Sequence, residues 1–281
     1  MTTELRFAVA DDTPQMDHAR LAFFIDYDPP KETFLGDVVS GLSKTPKQLP
    51  PKYFYDERGS ELFDMICQTQ EYYVTRTEMA LLRDICPKVS EFIGPHSKIV
   101  EFGSGASKKI RTLLDALDNP SQYIAIDISK DFLIESAIGI AEDYPEIAVG
   151  AISADFLKPI ALPAQVMEGP GQLLGFFPGS TIGNFSTAEA LNFLNAAHSL
   201  LQPAGALLIG VDLKKDRHIL EAAYNDQQGV TADFNRNILK RINRELGADF
   251  AEEHFEHQAV FNAGESRIEM HLRSKERQSA T

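Results

Sequence analysis

IVEFGSGAS, residues 99–107, and YIAIDIS, residues 123–129, decide the fold of this chain. The first is a short apolar run that passes through Glu101 into a glycine turn, Gly103-Ser104-Gly105. The second is another apolar run, and it ends at Asp127, 24 residues after Gly103. Glycines let the backbone turn tightly and approach a ligand closely. An acidic residue at the tip of the next strand can accept both hydroxyls of a ribose. The two stretches therefore predict a strand–helix–strand unit that holds a nucleoside-bearing ligand.

The kind of ligand follows from what surrounds the glycines. A dinucleotide fold places a third glycine where this chain has Lys108, in G-S-G-A-S-K. The phosphate-loop lysine motif is also missing. Glu101, two residues before the first glycine, would repel a pyrophosphate but suits an ammonium-bearing ligand such as the methionine part of S-adenosylmethionine. That cofactor is the preferred reading. A nicotinamide or flavin cofactor, or an ordinary strand–turn–helix without a ligand, are the alternatives.

Outward from these stretches, strand-like and helix-like segments alternate. Lys98–Phe102, Tyr123–Asp127, Ile147–Ile152, Gln172–Phe177 and Ala206–Val211 read as strands. Helices are expected from Ser107 to about Ala116, over Ser129–Ala141, and from a Ser186/Glu189 capping box to Leu201. Upstream, Glu61–Gln68 reads as a short helix. A second helix is expected to start with a Thr75/Glu78 capping box and to close at Pro87. The breaks at DYDPPKETF, KTPKQLPP and Gln202-Pro203-Ala204-Gly205 forbid continuous helix. Such alternation implies a parallel sheet covered on both faces, with ligands at the carboxyl ends of its strands. Glu101, the glycines, Asp127, Asp155 and Asp212 all fall at or near those ends. After Asp212 the rhythm changes: Lys214–Gly247 is largely helical, and Val260–Phe261 and Ile268–Arg273 alternate like strands. A helical insert there predicts a lid, with a substrate site between lid and sheet.

Composition narrows the function classes. A hydrophobic share of 43% over 281 residues supports a substantial core. The 27 basic against 41 acidic side chains give a formal charge of −14, which argues against nonspecific binding to nucleic acid or anionic membrane. Cys67 and Cys86 provide neither a disulfide framework nor metal spacing. His254 and His257 are the only close histidine pair and have no evident third ligand, so no metal is expected. MTTELRFAVADD lacks the basic start and apolar core of a secretion signal, and no run of 18 apolar residues exists. A cytoplasmic, monomeric protein with a small-molecule substrate is expected.

Two further segments stand out. FFPGSTIGNF, residues 176–185, leaves space beside the fourth of these strands. Its Asn184 can grip a carboxylate or amide, or merely satisfy backbone groups at a helix entry. Residues 51–77 hold Tyr53, Tyr55, Tyr72 and Tyr73, half of the chain's eight tyrosines. Aromatic bodies with hydroxyl tips suit a pocket for a small polar ligand, core packing being the alternative. Arg76 could bind a carboxylate or pair with Glu78.

PKYFYDERGSELFDMICQTQEYYVTRTE (51–78), VEFGSGASKKI (100–110), YIAIDIS, ADF (154–156), FFPGSTIGN (176–184), GVDLKKD (210–216), AAYNDQQGVTADFNRNIL (222–239) and IEMHLRS (268–274) resemble, in order, the signature segments of the histidine Nα-methyltransferases. That family makes hercynine, the betaine precursor of ergothioneine; related fungal enzymes methylate tryptophan-type amines. The resemblance runs from roughly residue 20 to the last residue. It implies an α/β fold: a class I S-adenosylmethionine-dependent methyltransferase (Rossmann-like) sheet with a second, mainly helical substrate domain. The expected division is 1–75 for the N-terminal part of the substrate domain and 76–212 for the core. Residues 213–265 would be the helical insert and 266–281 the start of the C-terminal strands.

The resemblance also implies site residues. Gly103 and Gly105 would wrap the cofactor, with Glu101 beside them, Asp127 on the ribose, and Asp155 and Phe156 bordering the adenine. Tyr55 and Tyr72 match tyrosines near the amino acid and its amine, and are the candidate catalytic residues. Gly179 and Asn184 would line the amino-acid site with Asn184 on the carboxylate, Tyr224 would bind the same carboxylate, and Met270 would flank the side-chain pocket. In the family the chain continues past the Met270 strand to a glutamate and a serine that hold the imidazole. Here the sequence ends at Thr281, so that segment is expected to be absent; the adjacent Glu265-Ser266 pair lies upstream of Met270. The expected reaction is methyl transfer to an amino-acid nitrogen. The alternatives are methylation of another aromatic amino acid or amine, or a cofactor-binding protein without catalysis.

Overall fold

The computed structural model describes residues 20–27, 32–105, 108–201 and 204–281. The acidic N-terminal stretch through residue 19, the Pro29-Pro30 break, the helix start at Ser107 and the Gln202-Pro203 break lie outside them.

Six parallel strands form the main sheet: β1 (Phe23–Asp26), β2 (Lys98–Phe102), β3 (Gln122–Asp127), β4 (Ala148–Ser153), β5 (Leu173–Phe177) and β6 (Ala206–Ile209). Their order is β1-β4-β3-β2-β5-β6. The order reverses between β2 and β5, which pair with Glu101 opposite Phe176. A crevice opens at such a reversal, at the carboxyl ends of the strands.

The strands are apolar almost throughout because both faces are covered. On one face Ile99, Tyr123, Ala125, Val149, Ala151 and Phe176 pack against α3 (Val74–Ile93), α4 (Lys108–Leu114) and α5 (Lys130–Asp143), whose buried residues include Leu82, Ile110, Leu113, Leu133 and Ile140. On the other face Val100, Phe102, Ile124, Ile126, Ile152 and Phe177 meet Val166 of the short α6 (Ala164–Met167) and Phe193, Ala197 and Leu201 of α7 (Thr187–Leu201). The alternation of adjacent strand residues between the two clusters is the period of two that a strand imposes.

The remaining elements build a second layer over the carboxyl ends. The helices are α1 (Glu32–Leu42), α2 (Glu57–Ile66), α8 (Arg217–Ala223) and α9 (Val230–Leu246). The strands β7 (Phe255–Asn262) and β8 (Arg267–Ser274) form an antiparallel hairpin that places Ala259 opposite Met270. Asp56 caps α2 through the Gly59 N–H at 2.8 Å and also accepts from Asn237 of α9 and from Arg244, tying the two helices together.

Three expectations are corrected. Residues 1–75 do not all belong to the substrate side: Phe23–Asp26 is the edge strand of the main sheet, paired in parallel with β4. The Thr75/Glu78 capping box does not form. The helix starts two residues earlier, with Tyr73 at its N-cap, and the Thr75 hydroxyl donates to Cys67 Sγ at 3.2 Å. Pro87 does not close the helix, which runs on to Ile93. Proline removes one helical hydrogen bond, but Leu82, Cys86 and Ile93 stay buried along one continuous side. The Ser186/Glu189 box forms as expected, with Glu189 accepting from the Ser186 N–H at 2.8 Å.

Candidate active site

Glu101 reaches the crevice from the end of β2 and is 2% exposed. Tyr123 donates its hydroxyl to Glu101 Oε2 at 2.6 Å. Burial raises the Glu101 carboxyl to about 8, against the smaller lowering effects of the Tyr123 hydrogen bond and the Lys109 charge. Lys109, the cation that acts on it, is instead paired with Glu78 at 2.6 Å. The turn beyond it follows glycine geometry: Gly103 has φ +76 and Gly105 φ +33, and a Cβ at Gly103 would approach only the Phe156 ring, at 3.8 Å. Between them Ser104 Oγ is buried and finds no hydrogen-bond partner among the described residues.

Asp127 stands across the turn at the tip of β3. It accepts the Ser129 N–H at 2.9 Å, with the N–H groups of Gly105, Ile128 and Ser104 facing it. Burial nevertheless raises its carboxyl above the ordinary value, which those N–H groups partly offset. Asp155 accepts the Leu157 N–H at 3.1 Å and so fixes the turn that presents Phe156. The Phe156 ring is held by Phe102, Phe177, Phe185 and Phe193, at centroid distances of 5.8–6.4 Å.

A single cleft of about 2260 Å³ runs from this cradle into an aromatic chamber under α9 and the hairpin. Sites for single small ligands occupy about 300–1,000 Å³, so the cleft has room for two. Tyr55, Phe63 and Phe234 surround one end of the chamber, with ring centroids 5.6–6.2 Å apart. Tyr72 packs edge-on to Tyr224 at 5.7 Å, and their hydroxyls share a hydrogen bond. Met270 packs against the same cluster. Burial pushes the hydroxyls of Tyr55 and Tyr72 above the ordinary phenol value, so both remain protonated at neutral pH and neither serves as a phenolate base.

The loop after β5 borders both halves of the cleft. Gly179, at φ +83, donates its N–H to both carboxylate oxygens of Glu78, at 2.8 and 3.0 Å. Lys109 Nζ meets the same carboxylate at 2.6 Å. Gly210 admits this carboxylate, since a Cβ there would lie 1.9 Å from Glu78 Oε1. Asn184 ends a short 3-10 turn, Thr181–Asn184, and is an exposed residue lining the cleft.

The expected site residues thus fall into two groups joined by one cleft. Glu101, Gly103, Gly105, Asp127, Asp155 and Phe156 form the cradle; Tyr55, Tyr72, Tyr224 and Met270 meet in the chamber, with Gly179 and Asn184 at the junction. The other two N-terminal tyrosines lie elsewhere. Tyr53 packs on Phe34 and donates to Asp37 at 2.6 Å, and Tyr73 donates to Asp212 at 2.5 Å. Arg76 neither meets Glu78 nor faces the chamber; it donates to the carbonyls of Thr69 and Gln70. Sequence reasoning missed Phe63 and Phe234, which look like ordinary core positions on helix faces. It also missed Glu78, whose spacing imitates a helix cap. Among the described residues no three His, Cys, Asp or Glu side chains are grouped to hold a metal ion, and no helix is long and apolar enough to cross a membrane.

The cradle fits S-adenosylmethionine. An uncompensated buried carboxyl suits an ammonium, a free serine hydroxyl lies in a turn without side-chain cover, and an acid stands at the next strand tip. With this strand order, these features define a class I S-adenosylmethionine-dependent methyltransferase. More narrowly, the chain belongs to the family of histidine-specific, S-adenosylmethionine-dependent methyltransferases, whose sequence profile matches residues 34–281. It is similar to the histidine N-alpha-methyltransferase of Mycolicibacterium smegmatis, with 43% identity over 258 residues, covering 91% of this chain and 79% of that protein. The enzyme of the same name from Mycobacterium tuberculosis is 44% identical over 245 residues, covering 86% and 75%. Ergothioneine biosynthesis protein 1 of Neurospora crassa is 34% identical over 211 residues, covering 72% of this chain and 23% of that protein.

Proposed function

We propose that this protein methylates the α-amino nitrogen of L-histidine three times, giving Nα,Nα,Nα-trimethylhistidine, and acts as a monomer. The observation that carries the reading is the continuity of the cofactor cradle with a chamber walled by Tyr55, Tyr72, Tyr224, Phe63, Phe234 and Met270. The names of the bacterial relatives support the choice of histidine.

S-adenosylmethionine, when bound, supplies an electrophilic methyl group on its sulfonium. Glu101 would take the cofactor's ammonium, Asp127 its ribose hydroxyls, and Phe156 with Asp155 would border its adenine. Asn184 and Tyr224 would hold the amino-acid carboxylate and so aim the amine toward the cradle. Tyr72, protonated and fixed by Tyr224, would orient the amine through its hydroxyl oxygen. The work of the chain is then alignment, which alone lowers a transfer barrier substantially. The amine must arrive neutral, since no phenolate is present to deprotonate it, and after each of the first two transfers the new ammonium must give its proton to water before the next transfer. As methyl groups accumulate, the tyrosine and phenylalanine faces favour the growing cation.

Mass spectrometry of a reaction with L-histidine and S-adenosylmethionine tests this. Products one, two and three methyl groups heavier, all on the α-nitrogen, are expected. Methylation of an imidazole nitrogen, or equal turnover of histidine methyl ester, would show that the carboxylate grip is wrong. Tryptophan in a parallel reaction decides whether another aromatic amino acid is preferred.

A further inference from the structure

In the wall of the cleft lies a buried polar chain without a role in the proposed transfer. Asn235 of α9 is 2% exposed and His257 of β7 is 9% exposed. Asn235 Nδ2 stands 2.9 Å from His257 Nδ1 and donates to the His271 carbonyl at 3.0 Å. His257 Nε2 stands 2.8 Å from the Tyr224 carbonyl. The amide nitrogen carries two hydrogens and no acceptor. The His271 carbonyl requires one of them, so the amide cannot turn its oxygen that way. The other hydrogen then points at His257 Nδ1, which must accept. Because a carbonyl can only accept, Nε2 must carry the proton. Each member thereby fixes the next, and the imidazole is locked neutral in its Nε2–H form.

The chain ends on two backbone positions that matter for the acceptor site. One is the carbonyl of Tyr224 itself. The other is the carbonyl of His271, the neighbour of Met270 on β8. We infer that His257 is a positioning residue for methyl acceptor binding: with Asn235 it holds the Tyr224 backbone and the Met270 strand at a fixed separation, so that the Tyr224 hydroxyl meets the amino-acid carboxylate. The inference rests on the reading of Tyr224 as a carboxylate-binding residue.

Protonation would place Nδ1–H against the Asn235 amide, two donors face to face, with no rotation that relieves them. Burial accordingly lowers the readiness of His257 to take a proton, and the nearby Arg236 charge acts in the same direction. Asp226 and the Tyr224 carbonyl act against it, Asp226 being itself engaged by the backbone N–H groups of Val230 and Thr231.

Two measurements test the inference. Nitrogen chemical shifts of His257 in the unmodified protein should show the neutral Nε2–H form at pH 7; an imidazolium or an Nδ1–H form overturns it. In kinetics, His257→Asn removes the donor at the Nε2 position, whereas His257→Gln keeps one there. The expected result is an amino-acid KM raised about tenfold in His257→Asn, little change in His257→Gln, and an S-adenosylmethionine KM within about twofold of normal in both. If His257→Asn does not fold, Asn235→Ala, which leaves the imidazole free to change tautomer, should raise the same KM. Tyr224→Phe, measured alongside, separates the two claims. A raised amino-acid KM in Tyr224→Phe with normal values in the His257 and Asn235 variants overturns the positioning role alone. A normal KM in Tyr224→Phe overturns the reading of Tyr224 and the inference with it. Equal losses toward both substrates would mark His257 as a general support of the fold and overturn the inference.

Discussion

Tyr123 donates its hydroxyl to Glu101 at 2.6 Å, a neutral donor set against a buried acid where a charged one would be needed to hold the acid ionised. With its carboxyl raised to about 8, Glu101 is mostly protonated at pH 7 in the free protein. Arrival of the cofactor's ammonium should ionise it. Binding of S-adenosylmethionine at pH 7 should therefore release about one proton per site, measurable by calorimetry in buffers of different ionisation heat. Glu101→Gln should bind at least about tenfold more weakly and release none; undiminished release from that variant would assign the proton to another group.

The same acid sets a trend in the stability of the free protein. Unfolded, it ionises near the ordinary carboxyl value of 4.5; folded, it keeps its proton until about 8. The native state thus binds more protons across that window, and this group's contribution to stability falls as pH rises through it. Glu101→Gln should remove that contribution, so its thermal unfolding should fall less steeply between pH 5 and 8 than that of the unmodified protein. Parallel profiles would mean that Glu101 is already ionised when free.

Asp127→Ala should weaken S-adenosylmethionine by about 1.5–3 kcal/mol, the range for losing a hydrogen bond to a charged group. The loss should show in binding to the cofactor alone. A normal dissociation constant would place the ribose elsewhere.

Asn184→Ala and Tyr72→Phe should separate grip from alignment. Asn184 is exposed at the cleft and ends a loop, so its loss should raise the amino-acid KM by a factor of about 10–150, from about 1.5–3 kcal/mol, with the cofactor constant nearly intact. Tyr72→Phe keeps the ring packed on Phe63 and Tyr224 and should lower kcat more than it changes binding. Steady-state kinetics with each substrate varied in turn distinguish the two patterns.

Glu78→Gln should loosen the loop that carries Gly179. The amide can accept only through its oxygen, so it loses the charge that draws Lys109 and one of the two bonds to the Gly179 N–H. The pair is largely buried, and breaking such a pair leaves Lys109 uncompensated. A raised amino-acid KM together with a lowered melting temperature is expected. Lys109→Met in the same background should recover part of the melting temperature; no recovery would show that the ion pair is not the cause.

How much of this was legible beforehand depended on how local the signal is. Lys98–Phe102 appears as a strand over the expected residues because an apolar run ending in a glycine turn carries its own boundaries. The cradle was legible for the same reason: Glu101, Gly103, Gly105 and Asp127 lie on two adjacent strands and the turn that follows the first. Strand β1 was not, since FFID gains its place from β4, more than 120 residues further on. Glu78 misled because a Thr-x-x-Glu spacing reads as a cap, whereas its partners Gly179 and Lys109 are remote in sequence. Phe63 and Phe234 are placed together by the packing of α2 on α9, and no pattern within either helix distinguishes a cavity wall from a core contact. The His257–Asn235 chain is a property of side-chain geometry that spacing cannot express.

The chamber and the cradle draw on different parts of the chain. Tyr55, Phe63 and Tyr72 precede α3, and Tyr224, Phe234 and Met270 follow β6, whereas Glu101, Gly103, Gly105, Asp127 and Phe156 come from the carboxyl ends of the central strands and the loops that follow them. On the proposed roles of these residues, mutations that reshape the chamber walls should therefore accumulate without disturbing the cradle proposed to grip the methyl donor. A lineage with this architecture can exchange one amine for another while its donor chemistry is inherited unchanged.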